Sequence, residues 1–142
     1  MKPFSIIGRR ENITISELGL HNIVAKIDTG AYTTALHCSQ IIERDVDGVK
    51  KLFFTVLDPS HSDYNSHEYC FANYWKKTIK NSFGEKEERY IISAIVSIGK
   101  RNIRSRISLT DRGTMRYPVL IGRRLLKNKF LVDVSKVFTI KN

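Results

Sequence analysis

The feature that constrains this chain most is Asp28-Thr29-Gly30-Ala31, placed at the end of the run Ile23-Val24-Ala25-Lys26-Ile27. The run has the apolar, β-branched make-up of a strand, and the Asp-Thr-Gly sequence ends it. An aspartate can satisfy neighbouring backbone donors with its own carboxylate, and the glycine beyond it tolerates a tight turn. A carboxylate is therefore held on a turn at a strand end. Far downstream, Tyr117-Pro118-Val119-Leu120-Ile121-Gly122-Arg123-Arg124-Leu125-Leu126 reads as a buried strand, a glycine and a short amphipathic segment.

Short strand-like runs fill the rest of the chain. Strands are predicted at Phe4 to Ile7, Asn12 to Ser16, Asn22 to Ile27, Thr33 to Cys38, and Ile41 to Val46. Another runs from Val49 to Leu57, reached across the Asp47-Gly48 hairpin signal. Asp58 to Asn65 reads as a loop. Glu68 to Ala72, Trp75 to Ile79, Arg89 to Ile98 and Asn102 to Leu109 follow as strands, with turns at Asn81-Ser82-Phe83-Gly84 and Gly99-Lys100-Arg101-Asn102. Asp111-Arg112-Gly113-Thr114 is a loop, Val119 to Ile121 a strand, and Arg123 to Asn128 the best helix candidate. Phe130 to Val134 and Lys136 to Ile140 close the chain as strands. The expected fold is mainly β, a small closed antiparallel barrel with one short helix, in a single domain over residues 1–142.

Charge narrows the partners. The formal net charge of +10, from 24 Lys plus Arg against 14 Asp plus Glu, attracts anionic partners such as acidic peptides, nucleic acid or a ribosome. The basic residues are grouped at Lys76-Lys77, at Lys100-Arg101 with Arg104 and Arg106, and at Arg123-Arg124 with Lys127 and Lys129. No run among them is long enough to mark a nucleic-acid tail. No apolar stretch approaches a membrane span, and Met1 to Arg10 is charged too early to hold a signal-peptide apolar region, so a cytoplasmic protein without membrane contact is expected. The two cysteines, Cys38 and Cys70, argue against a disulfide framework.

His37, Cys38, His61, His67, Glu68 and Cys70 are potential ligands, but His67-Glu68 lacks the second histidine of an HExxH helix, so no metal is expected. No GxxxxGK[ST] or GxGxxG loop is present to cradle phosphates, and no cofactor is expected.

With Ile7-Gly8-Arg9-Arg10-Glu11, Ala25 to Ala31, Thr33-Thr34-Ala35-Leu36-His37 and Met115 to Arg124 in place, the chain resembles retropepsin-like aspartic proteases. Within them it is similar to the RimK-associated family that carries the name ATP-dependent zinc proteases. The resemblance implies that Asp28 is the catalytic acid and base, that the Thr29 hydroxyl locks two turns together, and that Gly30 lets the backbone approach its partner. It further implies that Ala31, Gly122 and Arg123 support the site, Gly122 by close packing behind the turn and Arg123 as an ion-pair partner. Two departures stand out. Tyr32 occupies the position where retropepsins commonly carry an acidic residue, and no glycine-rich flap lies between Asp28 and Gly122, the nearest hairpin tip being Asn81-Ser82-Phe83-Gly84.

Aspartic proteolysis needs two carboxylates close enough to share a proton, since like charges at that distance cannot both ionise. This chain has one Asp-Thr-Gly, and Asp111-Arg112-Gly113 carries arginine where the hydroxyl belongs. A homodimer contributing Asp28 twice is the simplest working enzyme. The association with RimK-type ligases, which attach glutamates to a protein tail, implies an acidic or polyglutamylated substrate. The alternative is a non-catalytic module that binds a peptide, a ligase or its tail on the same fold.

Overall fold

In the computed structural model the described residues are 3–80, 83–111 and 116–140. Eleven strands, one 3-10 turn and one α-helical turn follow in order: β1 Ser5–Ile7, β2 Arg10–Ile15, the 3-10 turn Ser16–Leu18, β3 Leu20–Ile27, β4 Thr34–Val46, β5 Val49–Val56, β6 Glu68–Phe71, β7 Trp75–Lys80, β8 Lys86–Ile98, β9 Arg101–Thr110, β10 Val119–Ile121, α1 Arg123–Leu126 and β11 Phe130–Val132. The strand order β10-β3-β2-β8-β9-β4 closes on itself because β10 also pairs with β4. The molecule is a closed six-stranded barrel, mainly β with one short helix. Most pairings are antiparallel. Parallel ones join β10 to β3, β4 to β9 and β1 to β11.

Period-two burial fills the barrel. Ile13 and Ile15 on β2 point inward with Ile92, Ala94, Val96 and Ile98 on β8, and the intervening residues are more exposed. Glu11 occupies the next inward position of β2, where the alternation calls for an apolar residue, and it is fully buried. Its carboxylate accepts from Gly8 N at 2.7 Å, Thr139 Oγ1 at 2.8 Å, Thr139 N at 3.1 Å and Ile140 N at 3.2 Å.

That arrangement corrects the predicted Lys136 to Ile140 strand, which does not form. The donors at Thr139 and Ile140 go to the Glu11 side chain instead of a ladder, Phe138 N bonds Arg10 O at 2.9 Å, and Phe138 itself sits at φ 52°. The segment is tied down by these single bonds, with no strand partner among the described residues.

The separate predicted strands Thr33 to Cys38 and Ile41 to Val46 are a single strand. The register of β4 shifts between Ser39 and Ile42, with Gln40 at φ 53°. Such a bulge re-aims a strand. Before it, Thr34 to His37 pair with β9 in the barrel, and beyond it β4 leaves to form a hairpin with β5. The Asp47-Gly48 turn has φ 52° and 83° at its two residues, both left-handed, as a two-residue hairpin requires. β8 and β9 form the long predicted hairpin, paired from Tyr90↔Leu109 to Ile98↔Arg101. The predicted turn at Asn81 to Gly84 and the loop Asp111 to Thr114 fall partly on residues 81–82 and 112–115, outside the described residues.

Candidate active site

The parallel pair β3–β10 places the two sequence signals side by side, with Val119↔Ala25 and Ile121↔Ile27 in register. Asp28 N continues the pairing by donating to Ile121 O at 2.8 Å. The turn then closes on itself: Gly30 N donates to Asp28 Oδ1 at 3.0 Å and Ala31 N to Asp28 O at 3.2 Å. On the far side, Arg123 N reaches Ala31 O at 2.8 Å and Arg124 N reaches Tyr32 O at 3.1 Å, so the first residues of α1 are bonded to the turn.

Gly122 is the hinge of this packing. A Cβ there would stand 2.7 Å from Tyr32 O and from Thr33 C, closer than any side chain tolerates, and Gly122 N donates to the buried Thr34 Oγ1 at 3.1 Å. Thr29 and Gly30 are exposed and Asp28 is half-buried. Among the described residues no carboxylate forms an ion pair with Arg123. Its Nη1 donates to Thr29 O at 3.2 Å and its guanidinium lies 5.7 Å from the centre of the Tyr32 ring, with that of Arg124 at 6.0 Å. Tyr32, the departure from the acidic pattern, thus receives the arginines through its π face.

Asp28 opens on a cleft of about 430 Å³. Tyr32, Thr33, Ala35 and Leu120 line it, together with Lys77, Arg89, Ile91, Ser108 and Thr110 from the β7–β8–β9 sheet. Sequence reasoning missed these last residues. No local pattern marks them, because cross-strand register alone brings Lys77 beside Arg89 and Ile91 beside Ser108. The stem of the β7–β8 hairpin supplies this wall without glycines.

The potential zinc ligands do not converge. His37 is buried, with Nδ1 3.2 Å from Thr110 O and Nε2 2.5 Å from Asp58 Oδ2. Its Nδ1 carries a proton, since a carbonyl only accepts. Bonds from the Ser60 hydroxyl and backbone, then from His37, hold the Asp58 carboxyl down to about 2. His61 Nδ1 accepts from Asp63 N, and the His67 ring packs edge-on against Tyr69 at 4.5 Å. Burial pushes the Cys38 thiol up, while Cys70 is exposed. Among the described residues no group of three or more His, Cys, Asp or Glu side chains is placed to hold a metal ion. The donor set does not fit a bound zinc ion.

With this geometry in place, the chain matches a family model over residues 6–142, RimB-like, described as the retropepsin-like aspartic endopeptidase RimB. The chain belongs to the RimB-like family. It is 32% identical over 139 residues to a probable alpha-L-glutamate ligase of Shewanella pealeana, a match covering 95% of this chain and 30% of that protein. A protein of the same name from Desulfotalea psychrophila is 30% identical over 129 residues, covering 90% and 28%. The chain thus spans less than a third of the length of these curated relatives. Among solved structures, Lpg0085 of Legionella pneumophila, described as of unknown function, superimposes with a TM-score of 0.73 and 28% identity over 96% of this chain and 98% of that one. Among the described residues no helix is long and apolar enough to cross a membrane.

Proposed function

We propose that this RimB-like protein is an aspartic-type peptidase that works as a homodimer and cleaves acidic, polyglutamylated protein tails. The observation that carries the reading is the Asp28 turn, bonded through its backbone to β10 and α1 while its carboxylate lines an open cleft. In the dimer two such turns meet. One Asp28 carboxylate takes a proton from water as the water attacks the scissile carbonyl, and the protonated partner stabilises the oxygen and then protonates the leaving amine.

The dimer draws support from the surface beside the turn. Thr29 and Tyr32 border a depression shared with Leu126, Phe130 and Leu131, and Ile6 and Leu131, paired in register on β1 and β11, are 55% and 56% exposed. Apolar surface of this kind at an active-site edge is what a second copy would cover. The acidic substrate draws support from the +10 charge and from relatives named as glutamate ligases.

Light scattering with a cleavage assay on a polyglutamate peptide tests the reading. Wild type is expected to be dimeric and to cleave, and Asp28→Asn to remain folded while losing activity by about 100-fold or more. A monomeric wild type, or cleavage unchanged in Asp28→Asn, overturns it. One observation favours a second reading, a non-catalytic module regulating a ligase: the relatives carry the matching region as 28–30% of proteins named ligases. Full ligase binding by Asp28→Asn, with no cleavage by wild type, would select it.

A further inference from the structure

We propose that the end of the Asp28 cleft walled by Arg89, Lys77 and Ser108 is a subsite for a side-chain carboxylate of the bound peptide. The subsite rests on the peptidase reading only for the identity of the molecule that bears the carboxylate. Lys77 and Arg89 are cross-strand partners on β7 and β8, and Ser108 pairs with Ile91, two residues along β8 from Arg89. Side chains two apart on a strand share a face, so all three are presented to the same side of the sheet, and all three line the cleft that Asp28 enters.

Two polar atoms in this wall have no hydrogen-bond partner among the described residues. Ser108 is 6% exposed, and its Oγ makes no hydrogen bond. Nor does the buried Nε of Arg89, whose nearest carboxylate, Glu87, stands 3.9 Å away, beyond hydrogen-bonding reach. A buried hydroxyl and a buried guanidinium N–H left without a hydrogen bond cost stability, and native proteins rarely leave them so unless something else completes them. A carboxylate is suited to do so. It accepts a hydroxyl proton on one oxygen and offers two oxygens to a planar guanidinium, with the Lys77 ammonium adding charge at the rim.

The same cleft argues against a nucleic acid as the ligand. A phosphodiester strand would carry a negative charge at every repeat past the Asp28 carboxylate. A peptide instead confines its charge to side chains and leaves neutral amides at Asp28. The subsite would therefore select acidic residues next to the bond attacked.

Fluorescence anisotropy at low salt, with a labelled pentaglutamate peptide and its pentaglutamine counterpart, tests the subsite in the full chain, with cleavage followed by mass spectrometry on the same samples. Wild type is expected to bind the glutamate peptide about tenfold or more tightly than the glutamine one, the scale of a charge-assisted hydrogen bond. Arg89→Gln and Ser108→Ala should each shrink that ratio, and the exposed Lys77→Gln should shrink it less. Ser108→Ala should not lower the thermal midpoint, because Oγ gives up no bond. A ratio near one in wild type, a ratio untouched in both Arg89→Gln and Ser108→Ala, no binding of either peptide, or equal competition by oligodeoxythymidylate overturns the subsite. Discrimination without cleavage upholds the subsite and sinks the peptidase reading; cleavage of both peptides at one rate does the reverse.

Discussion

At the scale of single residues, Glu11 and Gly122 do work that their types alone do not announce. A carboxylate sealed in a barrel wall survives only if its lone pairs are filled, and Glu11 fills them with four donors from Gly8, Thr139 and Ile140. Glu11→Gln keeps the shape but turns an NH2 toward groups that also donate. The expected loss is about 2–3 kcal/mol of unfolding free energy by urea titration, with residues 139–140 released first in hydrogen exchange. An unchanged midpoint would mean that the carboxylate does not anchor the segment. Gly122 acts by absence, since its missing Cβ is what lets the backbone of Tyr32 and Thr33 approach.

Between elements, the β4–β5 hairpin that leaves the barrel is reattached by one acid. Glu43 accepts from Tyr74 OH at 2.5 Å, from Lys76 Nζ at 2.9 Å and from Tyr90 OH at 3.2 Å, fastening β4 to β7 and β8. The Tyr74 hydrogen bond, then that of Lys76, holds the Glu43 carboxyl down to about 2 from its usual 4.5, and Glu43 in turn pushes Tyr74 up to about 12. A carboxyl depressed in the folded state favours folding above its unfolded value and loses that contribution as the pH falls through the folded one. Stability should therefore drop between about pH 4.5 and pH 2. Urea midpoints measured across that window should fall less steeply in Glu43→Gln than in wild type. An identical slope in both proteins would assign the acid sensitivity elsewhere, the depressed Asp58 beside His37 being the next candidate.

For the molecule as a whole, the proposed chemistry belongs to two copies and to neither alone. If each active site needs an Asp28 from both chains, mixing wild type with Asp28→Asn after subunit exchange leaves only wild-type pairs active. Activity should then follow the square of the wild-type fraction: an equal mixture would retain about a quarter, against a half for independent chains. A linear dependence would place a complete site in each chain.

Period-two patterning, turn chemistry and one short apolar-Gly-Arg segment made the β class, most strand positions, the Asp47-Gly48 hairpin and the Asp28 turn legible in the sequence, because each is set by neighbours within a few residues. The chain could not reveal that Thr33 to Cys38 and Ile41 to Val46 are one strand. Only the change of partner from β9 to β5 at the bulge decides that. Lys136 to Ile140 has the composition of a strand but lacks a ladder, since its donors are claimed by a side chain more than 120 residues away, as in Thr139 N to Glu11 with a separation of 128. Likewise the cleft wall of Lys77, Arg89 and Ser108 exists only through register across three strands. The sequence by itself determined what each segment prefers to be; the tertiary structure decided which segments meet, because pairing and burial are long-range choices made by the closed barrel.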